Sequence, residues 1–225
     1  MKKKNFITLM CVLSLAVSLG SITGVSAKTV KYKTKTIKKS STYVSMDYTN
    51  LTVKGKSKIA KAVNRDIKKR NKALLKYYKE MQKTYGTGEY GTGSFCSTDR
   101  KVSSKKGKYF SIKEYNMDYN AGAAHPLSSF VGYNYNIKTG KRVYLTDVLG
   151  LDLDTVQMKA KTKLDKFFTK HNIDLPSVYK ETTFKEYKAD DFNFYIKGKK
   201  AHVVFSPYDV APYAVGFVEI TFKLK

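Results

Sequence analysis

Tryptophan is absent from this chain of 225 residues, histidine occurs three times, proline four times and cysteine twice. Each scarcity closes a class of chemistry. Cys11 lies in an amino-terminal apolar run that reads as a removable leader, so Cys96 is left without a disulfide partner. A lone thiol with no base placed beside it reads as a small buried hydrophobe in a strand. His125, His171 and His202 have no second His, Cys or acidic side chain at ligand spacing, and no metal is expected. His171 closes a helical pattern, where an imidazole favours the dipole, and His202 falls in a strand pattern. Gly86, Gly88 and Gly91 match the G-x-G-x-x-G string, but they follow a helix and lead into a strand. That is the reverse of the order that cradles a pyrophosphate, so the segment reads as a loop and no cofactor is expected. Acidic residues number only 18, without the pairing that marks a glycosidase, and no G-x-S-x-G elbow occurs. The chain reads as a non-enzyme.

Long apolar runs are equally scarce. Residues 6–19 form the one candidate, preceded by Lys2, Lys3 and Lys4 and followed by Val25, Ser26 and Ala27 as a small-residue cleavage site. This is the pattern of a secretory signal peptide over residues 1–27. The run is shorter than the ~20 residues a membrane helix needs, and none follows it, so a product without a transmembrane anchor is expected. No small-residue lipobox precedes Cys11.

What the chain has in excess is positive charge, 43 Lys and Arg against 18 Asp and Glu. Removing the three leader lysines leaves 40 against 18, a net charge of +22. Such a field favours anionic partners: wall phosphate polymers, peptidoglycan carboxylates or lipid headgroups. Lysine far outnumbers arginine, and a solvated point charge suits diffuse adhesion better than base readout, so specific nucleic-acid binding is disfavoured.

Residues 28–42 are lysine, threonine and serine with little to bury, and read as a flexible basic leader. Residues 43–225 are long enough for one domain with its own core, without internal repeats, and are expected to be monomeric. Residues 43–48 alternate as a first strand. Ser57 then opens a helix whose buried stripe runs through Ile59, Val63, Ile67, Leu74, Tyr78 and Met81. Strands follow over residues 95–102 and 109–119 and from Ser128, and residues 133–145 read as a hairpin turning at Gly140. A second helix spans residues 153–170, with Asp152 or Asp154 as cap and a stripe of Val156, Ala160, Leu164 and Phe167. Residues 192–196, 201–205 and 215–222 return to strand. The expected class is α+β, a single domain of antiparallel sheet packed with two main helices.

Two loops stand out. Between strands at residues 202–205 and 217–222, Pro207 and Pro212 fix φ and remove ladder donors, so Tyr208 and Tyr213 ride on a stiff arch beside Asp209. Rings on pre-organised loops lose little entropy on binding. A structural turn with two half-buried tyrosines fits the same residues. The second loop holds Gly122, Ala123, Ala124, His125 and Pro126. Pro126 keeps His125 out of helical geometry, and the small residues admit a partner close to the backbone. A tight strand connection with a satisfied histidine fits equally well.

Three motifs together carry a resemblance: Gly122 to His125; the run Tyr133 to Lys141 followed by Leu145, Thr146, Asp147 and Val148; and Pro207 to Gly216. In these the chain resembles the extracytoplasmic domain of the anti-sigma factor RsiV, over roughly residues 43–222. That domain, of otherwise unknown function, also occurs attached to polysaccharide deacetylases of the bacterial envelope. In the RsiV branch it binds lysozyme, with loops entering the sugar-binding cleft. The resemblance implies that the loops at residues 122–126 and 207–213 form the contact surface. Only Met1 to Asn5 precede the apolar run, where an anti-sigma factor needs a cytoplasmic segment, so neither a signalling role nor an attached deacetylase module is expected. Animal-type lysozymes are themselves basic, so a domain of +22 would be repelled at long range. The function expected is that of a secreted binding module of a Gram-positive-type envelope, recognising a wall glycan or a wall-degrading enzyme. A cryptic peptidoglycan hydrolase or deacetylase-like enzyme using His125 or Asp209, and a plain basic wall adhesin, are the alternatives.

Overall fold

The computed structural model describes residues 29–174 and 187–225, so the expected signal peptide lies outside the described residues. A five-stranded sheet is ordered β1 (Tyr32–Ser40), β2 (Val44–Val53), β3 (Ser94–Ser104), β4 (Tyr109–Tyr119) and β5 (Leu127–Asn136). Helix α1 (Lys58–Tyr85) links β2 to β3. Beyond β5 come the short α2 (Leu145–Leu149) and α3 (Leu153–Lys170), then a three-stranded antiparallel sheet. Its strands are β6 (Phe194–Lys197), β7 (Lys200–Phe205) and β8 (Val218–Lys223). The class is α+β, and the domain is single.

Local chemistry explains both long helices. Ser57 accepts a hydrogen bond from the Ala60 amide and starts α1, whose buried side chains include Ile59, Val63, Ile67, Tyr78 and Met81. Asp152 caps α3 through the Thr155 amide at 2.7 Å, and His171 closes that helix. The buried stripe of α3 ends on Phe168, with Phe167 only partly buried. The expected place of Phe167 is thus one residue off.

Three further expectations are corrected. Most of the basic leader is a strand: β1 pairs antiparallel with β2 from Tyr32 opposite Val53 to Ser40 opposite Ser45. An edge strand is held by its ladder and needs few buried side chains; in β1 only Tyr32 and Ile37 are even half-buried. The main sheet is mixed, not antiparallel, because β2 and β3 run parallel and α1 supplies the crossover such a pair requires. The expected hairpin over residues 133–145 shrinks to one bridge between Tyr135 and Arg142. Its second arm runs into α2, where the Asp147 carboxylate accepts from the Tyr144 amide at 2.8 Å.

The core has two layers of contact. On one face of the main sheet, α1 packs Ile59, Val63 and Ile67 against Leu51, Ile112 and Tyr135. A second cluster joins α3 to β6–β8 through Val156, Ala160, Leu164, Val203, Phe205 and Ile220. The two sheets are stitched at β5 and β4. Asn134 donates to the Phe194 carbonyl at 2.6 Å, and Ser111 Oγ accepts the Ile196 amide at 2.8 Å. Gly132 makes this crossing possible, since a Cβ there would stand 1.8 Å from the Phe194 carbonyl oxygen.

Candidate functional site

The Pro-Tyr arch connects β7 to β8 and is fixed at several points. Asp209 Oδ2 accepts the Ser206 amide at 2.7 Å, the Asp209 amide donates back to the Ser206 carbonyl, and the Tyr208 amide donates to the Ala211 carbonyl. Ser206 Oγ accepts the Phe130 amide at 3.0 Å and ties the arch to β5. Val210 and Ala211 are buried as anchors. Pro212 leads into a single 3₁₀ turn, Tyr213–Val215. Between these anchors Tyr208 is held at φ +74°, a left-handed conformation that costs a non-glycine residue free energy.

The second loop joins β4 to β5. Ala121 is buried and donates to Ser94 Oγ at 2.9 Å, and the Ala123 amide closes a turn on the Asn120 carbonyl. Gly122 has φ +87° with no atom within 4 Å of a Cβ placed there, so backbone conformation rather than crowding calls for glycine.

These two loops meet. His125 Nδ1 lies 3.0 Å from the Pro126 carbonyl, an acceptor, so Nδ1 carries the proton. In the neutral imidazole Nε2 is then the acceptor for the Tyr208 hydroxyl, 3.2 Å away. Tyr213 donates its hydroxyl to the same Pro126 carbonyl at 2.8 Å. The His125 and Tyr213 rings stack with centroids 3.8 Å apart and planes 19° from parallel, and Tyr208 lies 5.7 Å from Tyr213. Gly122, Ala123 and Ala124 are exposed beside this triad, and Tyr208 keeps 52 % of its surface open. Phe217, 38 % exposed, packs edge-on against Tyr115. All the residues singled out in the two loops therefore belong to one locale. Asp209 differs in role, because its carboxylate is spent on the Ser206 amide.

A second polar constellation escaped the sequence. Glu114 on β4, fully buried, pairs with Arg100 on β3 and Arg70 on α1 and accepts the Tyr133 hydroxyl at 3.3 Å. Burial pushes the Glu114 carboxyl up, but Arg100 and Arg70 outweigh it and hold the group below its ordinary value. Arg100 also donates to the Thr49 carbonyl at 2.9 Å and Asn71 Oδ1 at 2.7 Å. Beside this cluster, between α1 and the sheet, lies a cavity of about 290 Å³ whose lining includes Tyr77, Cys96, Asn116 and Asp118. Burial raises the Tyr77 hydroxyl to about 12, helped by Asp118 at 3.2 Å, and raises the Cys96 thiol to about 11. The signal that could have found this cluster is a charge at inward parity: Arg100 shares the alternation of Cys96 and Thr98, Glu114 that of Ile112.

His202 Nδ1 lies 2.8 Å from a Glu219 carboxylate oxygen on the second sheet, and the His202 ring stacks on Tyr195. Among the described residues no three His, Cys, Asp or Glu side chains are grouped to hold a metal ion. Nor is any described helix long and apolar enough to cross a membrane.

Residues 146–225 match the family model described as "Protein of unknown function (DUF3298)". The match takes in α3, the second sheet and the Pro-Tyr arch. No curated protein matches the chain. A DUF3298 family member from Bacteroides fragilis has a similar solved structure, with TM-score 0.63 at 11 % identity, covering 88 % of this chain and 92 % of that one. A DUF3298 family protein from Pseudomonas aeruginosa is similar at TM-score 0.64 and 12 % identity, covering 88 % of this chain and 96 % of that one. The carboxy-terminal part of the chain thus matches the DUF3298 domain, and the fold as a whole is shared with two solved structures described under that name.

Proposed function

We propose that this chain is a secreted, non-enzymatic binding module of the bacterial cell envelope that recognises a wall polysaccharide through the His125, Tyr208 and Tyr213 surface. The observation that carries the reading is the convergence of two loops on one half-exposed aromatic triad with a strained Tyr208 at its tip. Flat rings with polar tips suit a sugar, whose apolar face stacks while its hydroxyls find hydrogen bonds. The charge excess favours an acidic wall over a basic protein ligand. A lysozyme-type enzyme is the second reading, favoured by the meeting of the two loops in one half-exposed surface and by the likeness to RsiV.

Pull-down of purified sacculi and of lysozyme at low and high salt tests both readings, with the parent, Tyr208→Ala/Tyr213→Ala and Tyr208→Gly compared. Salt-resistant retention that both variants lose supports the site, and the retained partner selects the ligand. Retention that follows salt alone and ignores the tyrosines refutes it.

A further inference from the structure

Helix α1 carries eight lysines besides Arg65 and Arg70. Arg70 turns inward to Glu114, whereas all eight lysines and Arg65 are exposed. With 3.6 residues per turn, these nine cations fall within an arc of about 100°, and no other residue type shares it. The row runs from Lys58 to Lys83, about 37 Å at 1.5 Å per residue. Its flanks are not basic: Asp66, Ala73 and Glu80 border one side, Asn64, Asn71 and Gln82 the other.

An ordinary solvated helix face mixes signs. This one sets like charges three and four residues apart along its whole length, as in Lys61, Arg65 and Lys69 or Lys68, Lys72 and Lys76, an arrangement that opposes helix formation. The first turn holds no acidic residue, and Lys58 and Lys61 stand there against the helix dipole. Among the described residues, carboxylates reach the row only at Arg65, from Asp66 at 3.1 Å, and at Lys76, from Glu80 at 4.0 Å. The row is thus a destabilising feature, with seven of its nine charges left without a carboxylate among the described residues.

We propose that α1 is a docking rail for a linear, base-free phosphodiester polymer, independent of the aromatic surface. The partner's geometry follows from the rail. It is one helix wide, so it matches a chain better than the plane of a membrane, which would also press against Asp66 and Glu80. No exposed aromatic ring lies in the arc, since Tyr77 and Tyr78 point elsewhere, so bases find no stacking platform. A three-bond peptide repeat spans about 3.5 Å at most, so a six-bond glycerol phosphate repeat spans about 7 Å. With a turn every ~5.4 Å, each phosphate then meets at least one cation.

The test is a binding titration of end-labelled poly(glycerol phosphate) over a salt series. The parent is compared with Lys61→Gln/Lys68→Gln/Lys72→Gln/Lys79→Gln and with Lys197→Gln/Lys199→Gln/Lys200→Gln/Lys223→Gln on the second sheet, all exposed lysines, which removes the same net charge. Each contact contributes about 0.7 to the slope of log affinity against log salt, so loss of four lowers the slope by about 3. Referred to 1 M salt, affinity at ~0.1 M falls a few hundred-fold in the α1 variant. The second-sheet variant loses less than a tenth of that factor. Equal losses in the two variants overturn the rail in favour of net charge. Tighter binding of single-stranded DNA or of anionic phospholipid vesicles than of the polymer, at matched phosphate, overturns the assigned partner. Circular dichroism separates misfolding from lost contacts, and the α1 variant is expected to melt no lower than the parent because it sheds repulsion.

Discussion

Replacing Glu114 by Gln keeps the shape of a fully buried side chain and removes its charge, leaving Arg100, itself 1 % exposed at the side chain, without a counter-ion. Arg70 is 41 % exposed and can be rehydrated, so the cost falls on Arg100. Breaking one partner of a buried pair costs about 3–5 kcal/mol. For a domain of this size 1 kcal/mol moves Tm by about 2–4 °C, so Glu114→Gln should melt roughly 10 °C below the parent. Scanning calorimetry with urea midpoints at neutral pH measures the loss. The partner variant Arg100→Met/Glu114→Met should recover part of it, because removing both charges avoids the stranded one. The pH dependence has a defined sign. Glu114 titrates below its ordinary value of 4.5 in the folded chain, so its contribution is present above that value and disappears as pH falls through the folded pKa. The gap between parent and Glu114→Gln should therefore close in acid. A variant within ~1 kcal/mol of the parent at pH 7 would refute the reasoning, since it would mean that Arg100 is not held as a buried charge.

Gly132→Ala places a methyl 1.8 Å from the Phe194 carbonyl oxygen, so β6 must back away from β5; a loss of about 3 kcal/mol is expected by urea denaturation, with weaker amide protection at Ile196. Cys96 is 2 % exposed with its thiol raised to about 11, so a thiol reagent at pH 8 should label the native chain very slowly and the unfolded chain within minutes; equal rates would contradict the packing.

Local signals were legible, non-local ones were not. Ser57 and Asp152 announced where α1 and α3 begin because a cap acts through neighbours three residues away. β4 was readable to its end residues, Tyr109 and Tyr119. β1 was not, because an edge strand is made by hydrogen bonds to β2 and leaves no apolar period in Lys-Thr-Lys-Thr. The parallel pairing of β2 and β3 depends on where α1 delivers the chain, which no short window records. Each loop of the candidate site was marked by its own chemistry, proline with tyrosine in one and glycine before His-Pro in the other. Their meeting, across 83 residues, belongs to the sheet arrangement. Glu114 and Arg100 passed unnoticed because charged residues in a strand read as solvent-facing until a partner on the next strand is known.

The two outer strands of the main sheet end differently. β5 is sealed: side-chain oxygens of Ser206 and Asn193 take its outward amides at Phe130 and Gly132. Among the described residues β1 has no such side-chain cover, and its exposed lysines supply the charge that repels a second copy from adding strand to strand. Cancelling that charge with a bound polyanion would remove the repulsion and is expected to open the edge to strand addition. Whatever occupies those lysines would therefore also govern whether copies of the chain can add to one another strand by strand.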